Sequence, residues 1–92
     1  MTLLADVVTC LEQGGSPHAM IGATAMAALG ASRSTQDLDV LTVDRSVLND
    51  HFWDSLKERG ALIEIRHGDI HDPLVGVVRL TREGDRPVDV IV

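Results

Sequence analysis

The segment Asp37-Leu38-Asp39-Val40-Leu41-Thr42 alternates with a period of two, the repeat of a strand whose two faces meet different surroundings. No other stretch constrains the fold as much. Residues two apart on a strand share a face, so Asp37 and Asp39 project together while Leu38 and Val40 point into a core. The last third of the chain reads as more sheet: Ala61 to Arg66, Gly76 to Thr81 and Pro87 to Val92, with Glu83-Gly84-Asp85 turning between the final two.

Helical signals fill the first half. Leu4, Val8 and Leu11, with Leu3 and Val7 beside them, recur at helical spacing behind Thr2, a suitable N-cap, and the pattern stops at Gly14-Gly15. His18 to Ile21 predicts a short strand that turns at Gly22 into an Ala-rich helix over 23–29. Asp44 and Ser46 are placed to cap a further helix with Leu48, Phe52 and Leu56 as its stripe, closed by Gly60. The expectation is an α/β or α+β fold: a small mixed sheet of four or five strands flanked by helices, with residues 1–92 as one minimal domain.

Composition sets bounds on function. The core must be built from Ala, Val, Leu and Ile, because the chain has one Phe, one Trp and no Tyr. A formal charge of −6 argues against a broad surface for bulk nucleic acid and suits a small substrate or a basic partner protein. Cys10 is the only cysteine, so no internal disulfide forms, and its place in an apolar stretch is that of an inert core residue. No apolar run approaches the roughly 20 residues of a membrane span, and the cytoplasm is the expected setting.

The acids carry the chemistry. Asp37 and Asp39 on one face repel each other unless something positive lies between them, and a hard divalent cation such as Mg²⁺ suits their oxygens. Val88-Asp89-Val90-Ile91-Val92 places one acid in an otherwise apolar strand, where an unpaired charge is costly to bury. If that strand lies beside the one holding Asp37 and Asp39, three carboxylates converge and can hold two metal ions. The structural alternative for Asp89 is an ion pair with Arg33, Arg79 or Arg86. Gly22, between strand and helix, would seat a phosphate on backbone N–H groups or simply allow close packing.

Gly22-Ala23-Thr24-Ala25, Gly30, Arg33-Ser34-Thr35-Gln36-Asp37-Leu38-Asp39 and Asp89, in that order, resemble the nucleotidyltransferase superfamily of the DNA polymerase β type, and specifically its small bacterial members that include toxin–antitoxin components. The resemblance runs from about His18 to Val92. It implies that Asp37, Asp39 and Asp89 are catalytic and bind Mg²⁺, or Mn²⁺ in its place, with Asp89 helping to deprotonate the attacking hydroxyl. It implies that Gly22 and Ala23 hold the terminal phosphates of a nucleoside triphosphate such as ATP, and that Arg33 and Thr35 order the loop and contact phosphate. The implied reaction transfers a nucleoside monophosphate to a hydroxyl. Ala23 stands where Gly or Ser is common and offers no hydroxyl. Relatives continue past the third acid with helices, so a form lacking those C-terminal helices is expected, with a homodimer or a partner protein over the open face.

Two rival readings exist. Asp37-Leu38-Asp39-Val40 fits the motif of haloacid-dehalogenase-type phosphatases superficially, but that motif follows an apolar strand, and Ser32 to Gln36 are mostly polar. A catalytically inactive nucleotidyltransferase fold, kept as an antitoxin or scaffold, is the second rival. His67, Asp69, His71 and Asp72 invite a transition metal, yet Gly68 and Pro73 disfavour the helix that would align the imidazoles, and a solvated loop is the better reading. His18 and His51 have no partner at ligand spacing, and Trp53 reads as an anchor of the core or of an interface.

Overall fold

The computed structural model describes residues 2–21, 37–71 and 74–92. Helix α1 spans Leu3–Gln13, with the Thr2 hydroxyl accepting from the Ala5 N–H at 3.2 Å, so one of the orphan donors of the first turn is satisfied. It ends at Gly14, and Gly15 takes a positive φ of 69° that a side chain would resist. Leu3, Asp6, Val7, Cys10 and Leu11 face inward, whereas Leu4 and Val8 are only partly covered. The inward face is therefore rotated from the stripe the apolar spacing predicts, and it includes an acid.

Five strands form one mixed sheet in the order β1-β2-β5-β4-β3, where β1 is His18–Ile21, β2 Leu38–Thr42, β3 Leu62–His67, β4 Gly76–Thr81 and β5 Val88–Ile91. Strands β2 and β5 run parallel, and the pairs β1–β2, β3–β4 and β4–β5 are antiparallel. The expected α+β class holds. Asp37 lies in a bend just before β2 instead of within the strand. The β4–β5 hairpin turns through Gly84, whose φ of 84° serves the reversal, with the Asp85 N–H donating to the Arg82 carbonyl at 3.0 Å.

The single helix expected after Asp44 is broken. Two 3₁₀ turns, Arg45–Leu48 and Asp50–Trp53, precede a short helix α2 over Asp54–Glu58. The cause is local: Asp44 caps the Ser46 N–H, and Asn49, itself extended at φ −86° and ψ 127°, caps His51. A side chain that satisfies the backbone two residues on competes with helical continuation. Packing still fixes the segment, because Val47, Trp53 and Leu56 are buried and the Trp53 indole N–H donates to the Val47 carbonyl at 2.7 Å.

The core lies between one sheet face and these helices. Val40, Val78, Leu80, Val88 and Val90 come from the sheet, and Leu3, Val7 and Leu11 from α1. Gly76 allows β4 to start close to its neighbours, since a Cβ there would sit 2.7 Å from the Arg66 carbonyl oxygen and 2.8 Å from Leu48 Cδ2. Among the described residues, no helix is long and apolar enough to cross a membrane. The expected helix over 23–29 lies outside the described residues.

Candidate functional site

The sheet's pairing register places one polar row across its other face. Asp39 on β2 is opposite Asp89 on β5, Asp89 is opposite Arg79 on β4, and Arg79 is opposite Glu64 on β3. Paired residues point to the same side of a sheet, so these four side chains share a face and leave Val40, Val78 and Val90 to the core. The same alternation that buries the valines thus lines up the charges.

Three of the expected site residues are described: Asp37 and Asp89 meet at one arginine, and Asp39 is the register partner of Asp89. A single guanidinium nitrogen, Arg79 Nη1, donates to Asp89 Oδ2 at 3.0 Å and to Asp37 Oδ2 at 3.2 Å. The Asp89 side chain is 1% exposed and that of Asp37 is 14% exposed, while Arg79 keeps 37%. Asp39 is buried beside them. Of the three arginines named as alternative partners for Asp89, Arg79 pairs with it, and Arg33 lies outside the described residues. Gly22, Ala23, Arg33 and Thr35 lie outside the described residues.

Spacing alone did not single out Glu64 and Arg66. Arg66 donates to Glu64 Oε1 through Nε at 3.1 Å and Nη2 at 3.0 Å. Together with Val77, Arg79 and Asp89 these two line a pocket of about 280 Å³. A signal for this existed: a hairpin centred on Gly84 puts Arg79 opposite Asp89.

A second charged cluster lies apart from this row. Asp6 on α1 is buried and accepts from Arg82 Nη1 at 2.8 Å and from Arg59 Nη1 at 3.1 Å, and Arg82 Nε also donates to Asp85 Oδ2 at 3.0 Å. The Arg82 hydrogen bond holds the Asp6 carboxyl below its usual range, against the upward push of burial, and Arg82 does the same for Asp85. This network ties α1 to the end of β4 and to the end of α2. It brings two arginines to one carboxylate that already has both as donors, an arrangement suited to fastening elements.

His67 ends β3, Asp69 caps the His71 N–H at 2.8 Å, and Asp72 lies outside the described residues. Cys10 is buried, its thiol donates to the Phe52 carbonyl at 3.4 Å, and burial pushes its pKa up, as an inert core thiol requires. No protein-family model matches the chain, and no curated protein does either.

Proposed function

We propose that the chain is a metal-dependent nucleotidyltransferase that moves a nucleoside monophosphate from a nucleoside triphosphate to a hydroxyl acceptor. The observation that carries this reading is the meeting of Asp37, Asp39 and Asp89 across the parallel pair β2–β5, close enough for Asp37 and Asp89 to share one cationic nitrogen. Their donor set is all carboxylate oxygen, which suits Mg²⁺ and, next, Mn²⁺. When bound, such ions neutralise the triphosphate and make a hydroxyl more acidic.

The residues' parts are those the resemblance implies. Asp89, in a buried strand between β2 and β4, would hold its carboxylate in one orientation and take up the proton as the acceptor hydroxyl attacks. The hydroxyl oxygen bonds to the α-phosphorus, the bond to the bridging oxygen breaks, and pyrophosphate leaves with the electron pair. Asp37 and Asp39 fix the cationic side of the site. Gly22 and Ala23, through backbone N–H groups, and Arg33 and Thr35 are assigned to the triphosphate on sequence resemblance alone. The same resemblance suggests a toxin–antitoxin component, for which the cytoplasm is the setting expected from the sequence.

One observation favours a second reading. Arg79 already neutralises two of the three acids, as a non-catalytic scaffold would need for stability alone. Calorimetric titration with non-hydrolysable analogues of the four nucleoside triphosphates, with and without Mg²⁺, separates the two. Binding that requires both Mg²⁺ and Asp39 supports the transferase. Absence of binding to any analogue overturns it in favour of the scaffold.

A further inference from the structure

We infer that the edge of β3 is a homodimer interface, on which a second copy of this chain adds its own β3 antiparallel about a two-fold axis through Ile65. The inference goes beyond the transferase reading and stands without it. Strand β3 ends the described sheet, next to β4 alone. The Gly68 N–H donates to the Val75 carbonyl at 2.7 Å, one step past the His67–Gly76 pair that closes the β3–β4 ladder. Hydrogen-bonded pairs alternate along an antiparallel ladder, so Leu62, Glu64 and Arg66 turn their backbone groups to β4. Ile63, Ile65 and His67 turn theirs outward. The Gly76 carbonyl fits this phase, since it accepts from Val92 on the opposite side at 3.0 Å.

A row of outward N–H and C=O groups is a template for another strand, and charged side chains along it limit which strand can join. Glu64 and Arg66 are such charges, with side chains 58% and 79% exposed. A two-fold pairing centred on Glu64 sets glutamate against glutamate, and one centred on Arg66 sets arginine against arginine, both destabilising. Centred on Ile65, the pairing sets each Glu64 opposite Arg66 of the second copy. That register also uses every outward group of the strand, because Ile65 pairs with Ile65 and Ile63 with His67. The other two centres leave His67 or Ile63 facing residues outside the strand. The bonds of Arg66 to its own Glu64 run to Oε1, so they need not break, and Oε2 is turned to the second copy. Ile63 and Ile65, only partly covered at the margin of the core, gain cover, and Leu62, 74% exposed, comes to lie opposite Gly68. The axis stands normal to the sheet, so both pockets lined by Glu64 and Arg66 open on one side and flank the junction.

The test is sedimentation of the full chain over a series of concentrations, for wild type, Glu64→Arg, Arg66→Glu and an equimolar mixture of the two variants. Wild type is expected to be a dimer. Each variant alone sets like charges opposite one another and is expected to raise the dimer Kd at least about tenfold. In the mixture every opposed pair is again of opposite sign, and the dimer is expected to return. A wild type that is monomeric at about 0.1 mM overturns the inference, and so does a dimer that the single reversals leave intact or that mixing fails to restore. If a variant fails to fold, hydrogen exchange of the wild type reads the same edge without substitution. The amides of Ile63, Ile65 and His67 are expected to slow as concentration rises through the dimerisation range, and fast exchange at these positions in the dimer overturns the inference. None of these outcomes bears on Mg²⁺ or nucleotide binding, so the transferase reading stands or falls separately.

Discussion

Asp39 on β2 and Asp89 on β5 are register partners across a parallel strand pair, both buried. Two acids side by side raise the energy of the ionised state, and Arg79, which contacts Asp89 directly, offsets part of that cost. The arrangement keeps a costly cluster where uniform valine would pack more simply, which is the usual mark of a working site.

Asp39→Asn removes one of the repelling charges while keeping the shape of the side chain. The expected outcome is loss of Mg²⁺-dependent nucleotide binding with a metal-free melting temperature equal to or above that of wild type. A clear fall in the metal-free Tm would assign Asp39 a structural role.

Asp6 makes the fold acid-sensitive. Its carboxyl is held below the ordinary value of 3.8, first by the Arg82 hydrogen bond. A folded-state value below the unfolded one contributes stability that is fully present above the unfolded value and is lost as pH falls through the folded one. Wild type is expected to lose Tm steeply below about pH 4. Asp6→Asn should lower Tm at neutral pH and show a shallower acid limb, read by thermal melts across pH.

Gly76→Ala forces a Cβ against the Arg66 carbonyl oxygen and Leu48. Backbone cannot yield as a side-chain tip can, so the expected cost is about 2 kcal/mol or more by urea denaturation. Val90→Ala, at a position with 0% exposure in the middle of the core, should cost about 2–3 kcal/mol by the same measurement. Unlike Asp39→Asn, both should leave metal dependence intact in the folded fraction.

Cys10 should react with a thiol reagent only as fast as the chain opens. Its burial and raised pKa keep thiolate scarce and shielded, so labelling rates should follow unfolding in denaturant instead of reagent concentration.

Much of this was legible in the sequence where a pattern was strong and local. The alternation from Leu38 to Thr42, the run around Asp89 and the Gly84 turn each state their geometry through side-chain period or φ, and the strands form there. The segment after Asp44 departs from a single helix because its stripe of Leu48, Phe52 and Leu56 is helical, while the caps at Asp44 and Asn49 that interrupt it are decided by single side-chain bonds. The inward face of α1 also takes in Asp6, which turns towards Arg59 and Arg82, partners 53 and 76 positions away, and helical periodicity cannot see them. Arg79 stood among three possible partners for Asp89. The strand register is what places it opposite Asp89.

The most direct test of the central claim, that Asp37, Asp39 and Asp89 form a divalent-cation site, is Mn²⁺ titration followed by broadening of amide NMR signals. The account predicts that Leu38, Val40, Val88 and Val90 broaden first, and that Asp39→Asn abolishes the effect. Broadening centred on the His67 to His71 segment, or none at all, would contradict it.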